Sequence, residues 1–289
     1  MNIGFIGLGK MGTPMARRLL AGGHKLTAFV RSAGARTRAN DFGFTPSESI
    51  ADLAAKADVV ITALTDDEAL DQVTAELAAG MREKAMLIET STVSPAASAR
   101  AAERLAAGAI AYLRSPVSGS TVMAEAGQLT VLASGPRAAY EACLPLYGAF
   151  SKKQYHLGEG DEARYLKIVL NAMVGATSAL LAEALTIGRK GGLDVAAMLE
   201  VINNSAVASP LIGYKTRMLT SGDYAPAFPV TGMMKDFDIA LEIGRAAHLP
   251  LPLTAQIRQH YEAAFTAGSG EDDFFVLARE AARIAGLKT

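Results

Sequence analysis

Ile3-Gly4-Phe5-Ile6-Gly7-Leu8-Gly9-Lys10-Met11-Gly12-Thr13-Pro14-Met15-Ala16 carries the strongest fold signal in the chain. Its first residues are a short apolar run, the pattern of a strand buried on both faces. Gly7, Gly9 and Gly12 then complete G-x-G-x-x-G, and a helical pattern opens at Gly12 and runs to about Ala21. Six residues alone are weak, but a strand immediately before them and a helix immediately after give the context of a dinucleotide-binding turn. The three glycines differ in what they provide. Gly7 permits the tight turn, Gly9 lets the backbone approach a pyrophosphate, and Gly12 lets the helix pack closely on the strand. Leu8, Lys10 and Met11 share that loop, and N–H groups at the helix start face the phosphates.

Outward from this turn, apolar runs alternate with alanine-rich helical patterns as far as about His156. Strands are expected at Asn2–Ile6, Lys25–Phe29, Val59–Ala63, Ala85–Glu89, Ala109–Leu113 and Thr130–Ala133, with helices such as Gly12–Ala21, Glu68–Ala79 and Pro95–Ala106 between them. Strand, crossover helix and parallel strand repeated in this way predict a doubly wound α/β Rossmann domain over residues 1–161. After Gly158-Glu159-Gly160-Asp161 the pattern becomes helical throughout, predicting an all-α domain over 162–289. It begins with a long helix to about Gly191, with Leu166, Val169, Met173, Leu180, Leu181 and Leu185 spread over nearly every face. Such a helix is expected to be buried all round, as a spine linking the domains and as a subunit contact. Further helices are expected at Val195–Asn203, Pro210–Thr220, Thr231–Ala247, Pro252–Gly268 and Phe274–Ala285.

At 289 residues the chain exceeds the usual single-domain size of roughly 100–200. Its 28 Lys and Arg against 29 Asp and Glu give no electrostatic basis for binding nucleic acid or an anionic membrane. The single cysteine, Cys143, fits a reducing compartment and a place in the core. The amino terminus carries no secretory pattern, and the apolar stretch Ile168–Ala182, interrupted by Asn171, is read as short of a membrane span. The expected location is cytoplasmic. The histidines His24, His156, His248 and His260 lack a ligand spacing, so no metal site is expected.

Cofactor identity turns on the end of the second strand, Phe29-Val30-Arg31-Ser32. A carboxylate there would pair with ribose hydroxyls, whereas the Arg31 guanidinium and Ser32 hydroxyl suit a 2′-phosphate, which points to NADP(H). Lys167 and Asn171 stand four residues apart on one face of the most apolar helix. A lysine among aliphatic side chains is costly unless it lines a polar cavity or its proton is used. Desolvation would bring its pKa toward neutrality, suiting a general acid for a carbonyl oxygen, although a lysine snorkelling at a helix start has the same pattern. Ser115-Pro116-Val117-Ser118-Gly119-Ser120 follows a predicted strand, and the N–H groups of Ser118 and Gly119 with the Ser118 hydroxyl suit a substrate carboxylate. The same residues also suit an ordinary serine-rich turn.

Taken in order, Gly7 to Ala16, Glu89-Thr90-Ser91-Thr92-Val93-Ser94-Pro95, Pro116-Val117-Ser118-Gly119, Lys167-x-x-x-Asn171 and Lys235-Asp236 resemble the β-hydroxyacid dehydrogenase family. That family includes 3-hydroxyisobutyrate dehydrogenases and tartronate semialdehyde reductases. The resemblance implies that Lys167 is the catalytic lysine, that Asn171 orients the substrate and that Ser118 and Gly119 hold its carboxylate. It also implies that Leu64, Thr65 and Thr92 line the cofactor, with Lys235 near its nicotinamide end. Arg114-Ser115 stands where the family usually has an acid and Ala, and Ser120 replaces a glycine. Ala163 stands where a glycine is usual, and Arg164-Tyr165-Leu166 where smaller residues are common. Val30 stands where Asn is frequent. The expected reaction is hydride exchange between NADPH and a small aldehyde acid or β-hydroxy acid, with Tyr214, Lys215 and Phe237 as candidate substrate contacts from the helical half. Imine reduction, a 6-phosphogluconate-dehydrogenase-like activity and a cofactor-binding module without turnover are the alternatives.

Overall fold

The computed structural model describes residues 1–30 and 39–288. The expected 2′-phosphate residues Arg31 and Ser32 lie outside the described residues. The chain divides into two compact units, Met1–Lys167 and Ile168–Thr289.

In the first unit the strands are β1 (Ile3–Ile6), β2 (Leu26–Phe29), β3 (Thr45–Pro46), β4 (Val59–Thr62), β5 (Met86–Glu89) and β6 (Ala111–Arg114). They form one parallel sheet in the order β3-β2-β1-β4-β5-β6, with Ile3 level with Leu26 on one side and Val59 on the other. The order reverses at β1, which makes the carboxyl end of β1 the switch point at which such sheets bind ligands. β1 and β4 are buried along their whole length, which is why they read as unbroken apolar runs. Helices α1 (Gly12–Ala21), α2 (Ile50–Lys56), α3 (Asp67–Gly80) and α4 (Pro95–Ala106) are the crossovers. Side-chain oxygens of Ser49, Asp66 and Ser94 cap the last three, whereas no side chain caps α1.

The remainder of this unit differs from the sequence expectation. The strand expected at Thr130–Ala133 exists as β8 (Leu129–Ala133), but it belongs to a separate three-stranded sheet. There it pairs antiparallel with β7 (Val117–Ser118) and parallel with β9 (Ser151–His156). Pro116-Val117-Ser118 runs back along β8, and a two-residue strand carries no periodic signal. β9 escapes a sequence reading because Ser-Lys-Lys-Gln-Tyr-His shows no apolar alternation at this exposed edge. Between these strands lie α5 (Thr121–Glu125) and α6 (Arg137–Phe150), whose Tyr140, Cys143, Leu146, Tyr147 and Phe150 face the core.

The long helix is α7 (Glu162–Lys190), whose first residues pack into the first unit. Its expected burial on all faces does not hold in the chain: Leu181 and Leu185 are buried, but Val169, Met173 and Leu180 are exposed. Met173, Leu180 and Ile187 recur at seven-residue spacing, so these apolar positions form a stripe open to solvent. At 29 residues α7 is also long and apolar enough to cross a membrane by length and composition, contrary to the reading of Ile168–Ala182. The burial of Ile168, Ser178, Leu181, Ala182 and Leu185 within the second unit shows that part of its surface serves a protein core.

The second unit continues with α8 (Val195–Asn203), α9 (Pro210–Ser221), α10 (Val230–Ala246), α11 (Pro252–Ala264) and α12 (Leu277–Ile284). The helix expected to reach Gly268 ends as α-helix at Ala264 and widens into a π turn, where Gly268 takes φ +91°. Met233, Phe237, Tyr261, Phe274 and Phe275 form the centre of this unit's core.

Candidate active site

The glycines of the turn between β1 and α1 have different surroundings. Gly7 has φ +99°, and a Cβ on it would collide with the Ala63 carbonyl oxygen. A Cβ on Gly12 would collide with the Gly7 carbonyl oxygen and lie 3.1 Å from the Phe5 ring. Gly9 is exposed, and a Cβ there would meet nothing within 4 Å. The first and third glycines are therefore required by the fold. Gly9 is not, and the open space above it beside the uncapped start of α1 fits a dinucleotide pyrophosphate. Leu8 and Met11 are half-buried and Lys10 is exposed along this loop.

The loops after β4 and β5 are joined at the same edge of the sheet. The Leu64 N–H donates to Ser91 Oγ at 2.6 Å, and the Thr90 N–H and hydroxyl donate to the Thr62 carbonyl at 2.9 and 2.7 Å. Leu64, Thr65 and Thr92 thus stand on adjoining loops, half-buried, exposed and half-buried respectively. Asp67 accepts from the Ser94 N–H and hydroxyl at 2.9 and 2.5 Å, fixing the start of α3 to the start of α4.

Ser118 ends β7, half-buried, and Gly119 follows at φ +137° in exposed backbone. Ser120 caps α5 through a 3.3 Å bond from the Met123 N–H, which gives the residue in place of the usual glycine a local structural role. Arg114 is engaged within the chain. It is 8% exposed, pairs with Asp161 at 2.7 Å and lies over the Tyr112 ring at 4.7 Å. Ser115 shares a 2.6 Å hydrogen bond with the Tyr147 hydroxyl, whose pKa burial pushes well up, so the phenol stays neutral.

Lys167 and Asn171 are both half-buried and one turn apart on α7. In the second unit Asn171 donates its side-chain amide to Asp236 Oδ2, and Lys235 Nζ lies 3.1 Å from Asp236 Oδ1. Asp236 is 2% exposed, so one buried acid on α10 organises two predicted site residues. Sequence reasoning gives Asp236 no role, although its place beside Lys235 in the quoted dipeptide is the available signal. Of the three candidate substrate contacts, Phe237 and Lys215 are buried in the second unit's core, while Tyr214 is exposed.

Two family profiles cover this chain. Residues 2–158 match the NAD-binding domain of 6-phosphogluconate dehydrogenase, and residues 161–280 match the profile described as NAD-binding of NADP-dependent 3-hydroxyisobutyrate dehydrogenase. The chain belongs to the β-hydroxyacid dehydrogenase family. Among its relatives within the family, the L-threonate dehydrogenase of Cupriavidus necator is 34% identical over 96% of this chain and 95% of its own. The 2-(hydroxymethyl)glutarate dehydrogenase of Eubacterium barkeri is 32% identical over 99% of this chain and 97% of its own. A 3-hydroxyisobutyrate dehydrogenase of Mycobacterium tuberculosis, solved with L-serine, superposes with a TM-score of 0.89 at 25% identity, covering 96% of this chain and 98% of that one. This β-hydroxyacid dehydrogenase is accordingly an NAD(P)-dependent oxidoreductase acting on hydroxyl groups, with a Rossmann unit followed by a helical one.

Proposed function

We propose that this enzyme reversibly interconverts a small aldehyde acid and its β-hydroxy acid with NADP(H), using Lys167 as the general acid and base. The observation that carries the reading is Lys167 one helical turn before Asn171, with the Asn171 carboxamide anchored by the buried Asp236. Gly7, Leu8, Gly9, Lys10, Met11 and Gly12 would hold the dinucleotide phosphates, with Leu64, Thr65 and Thr92 along its length and Lys235 toward the nicotinamide. When bound, the reduced dinucleotide supplies the hydride. The N–H groups of Ser118 and Gly119, with the Ser118 hydroxyl, bind the substrate carboxylate and fix its orientation. Asn171 orients the reacting group by hydrogen bonding. Lys167 Nζ gives its proton to the carbonyl oxygen as negative charge develops there, and takes it back from the hydroxyl in the oxidative direction.

The preference for NADP(H) rests on Arg31 and Ser32, and is supported by the profile over residues 161–280, whose description names an NADP-dependent enzyme. The substrate class is supported by relatives named for L-threonate and 2-(hydroxymethyl)glutarate, both hydroxy acids. A cytoplasmic location and a homodimer or homotetramer belong to the same reading, and the exposed stripe of Met173, Leu180 and Ile187 supports the oligomer.

The test is NADPH oxidation with succinic, tartronic and methylmalonic semialdehydes, for the wild type and Lys167→Ala. Turnover with at least one substrate is expected, with kcat reduced by orders of magnitude in the variant and NADPH affinity retained. An active alanine variant removes Lys167 from its role. Comparable KM values for NADH and NADPH refute the NADP(H) assignment. Tight NADPH binding without turnover would favour a binding module.

A further inference from the structure

Among the described residues Arg164 is the largest fully buried side chain, at 1% exposure, and the reaction described above does not use it. It lies in the first turns of α7, three residues before Lys167, within the same compact unit as the sheet. Its partner Glu89 closes β5 and is 0% exposed. Burial draws the pKa of Arg164 down, but the charge of Glu89 and the Tyr112 hydroxyl outweigh it, so the net direction is upward and the guanidinium stays charged. A buried ion pair adds little net stability over apolar packing of the same shape, so its contribution lies in what it holds.

It holds Ser91. Arg164 Nη1 donates to the Ser91 carbonyl at 2.7 Å, and Nη2 donates to Glu89 Oε2 and, at 3.0 Å, to the Tyr112 hydroxyl. Glu89 Oε1 accepts the Ser91 N–H at 2.7 Å. Both polar groups of the Ser91 backbone are therefore gripped by the two members of one ion pair, while its hydroxyl accepts the N–H of Leu64. The neighbouring departures from the family pattern join the same network: Arg114 pairs with Asp161, and Ser98 Oγ donates to Asp161 at 2.7 Å while accepting from Arg164 Nε at 3.4 Å.

On the cofactor reading above, the glycine turn after β1 would take the pyrophosphate and the end of β2 would meet the adenosine ribose, so the nicotinamide half would lie toward β4 and β5, the side of the sheet that carries Ser91. The loops tied together by Ser91 are the ones on that side.

We propose that Arg164 and Glu89 form a positioning clamp for the nicotinamide half of the dinucleotide, resting on the cofactor reading above. They set the backbone from which Thr92 projects and fix the turn of α7 that carries Lys167 against it. Neither touches the reacting atoms.

The full-length chain, with Arg164→Gln, Arg164→Lys and Glu89→Gln variants, is titrated by calorimetry with NADPH and with 2′,5′-ADP, which carries the adenosine half alone. Arg164→Gln and Glu89→Gln are expected to weaken NADPH about tenfold while changing 2′,5′-ADP less than twofold. Arg164→Lys keeps a charge opposite Glu89 but loses the fork to Ser91, and should fall between; it carries the test if Arg164→Gln does not fold. Equal weakening of both ligands, or no change in either, overturns the clamp. A wild type that binds NADH in place of NADPH is tested with NADH and AMP in the same way. A wild type that binds neither dinucleotide refutes the cofactor reading and the clamp with it, which separates that failure from a failure of the clamp alone.

Discussion

Asn171 donates its side-chain amide to Asp236, and the chemistry of the pair leaves only one orientation for the carboxamide. A carboxylate accepts hydrogen bonds and donates none, so Nδ2 faces Asp236 and Oδ1 is turned away as an acceptor. The other oxygen, Asp236 Oδ1, lies within ion-pair distance of Lys235 and accepts no hydrogen bond from the described residues. Asp236 thereby fixes which face Asn171 offers to a ligand.

Replacing Asp236 with Asn removes the charge and lets the amide partner turn either way. A hydrogen bond to a charged group contributes roughly 1.5–3 kcal/mol, so kcat/KM should fall about 10- to 100-fold. Steady-state kinetics on the best semialdehyde, with thermal unfolding as a control for stability, checks this. A variant within twofold of wild type would show that the orientation of Asn171 does not matter.

Lys215 and Asp273 form a second buried pair, 4% and 0% exposed and 2.7 Å apart, with the ammonium 5.0 and 5.4 Å from the Phe274 and Phe275 ring centres. Asp273 also accepts the backbone N–H groups of Ala227, Phe228 and Phe275 at 3.1, 3.4 and 3.2 Å. Removing one member of a buried pair costs roughly 3–5 kcal/mol. Asp273→Ala should show that full loss, because it strands three N–H groups as well as the lysine. Lys215→Met should cost less, since the carboxylate keeps its backbone donors. Urea unfolding at neutral pH measures both, and the reverse order would contradict the account.

Acid stability should depend in part on Asp71. Side-chain hydrogen bonds from Arg100 lower its pKa, aided by the charges of Arg100 and Arg104, while burial opposes them. A folded-state pKa below the unfolded one gives stability that is present above the ordinary value of 3.8 and is lost as pH falls through the folded pKa. Asp71→Asn should therefore lower Tm at pH 7 and leave it unchanged near pH 2. The carboxylate is 30% exposed, so the difference is small, under about 1 kcal/mol. A Tm loss of the same size at both pH values would place the effect elsewhere.

The parallel sheet is legible in the sequence because β1, β4 and β5 are enclosed by the crossover helices, and their near-complete burial demands unbroken apolar runs. The second sheet is not legible, since β7 has two residues and β9 is an exposed, polar edge. Lys167, Asn171 and Ser118 stand out through residue type and order along the chain. Arg164 and the hold of Asp236 on Asn171 depend on partners distant in sequence, 75 residues away at Glu89 and 65 at Asn171, a spacing that no local pattern encodes. The exposed stripe on α7 contradicts the expected burial because apolar residues on every face look the same in sequence whether they meet the chain's own core or are left open.

The glycines of the β1–α1 turn offer a way to separate fold from function within six residues. Gly7→Ala forces a Cβ into a left-handed conformation against the Ala63 carbonyl, and Gly12→Ala drives one into the Gly7 carbonyl. Neither obstacle is a flexible side-chain end, so each should destabilise the protein by roughly 1–3 kcal/mol or more. Gly9→Ala meets no atom of the chain within 4 Å, so unfolding should stay within about 0.5 kcal/mol of wild type. The same methyl would stand where the pyrophosphate must approach the backbone, so dinucleotide affinity should drop at least about tenfold. Thermal unfolding and NADPH titration on the three variants give the pattern directly. If Gly9→Ala bound NADPH as well as wild type, the space above Gly9 would not be the phosphate site, and the dinucleotide would have to lie elsewhere on the sheet edge.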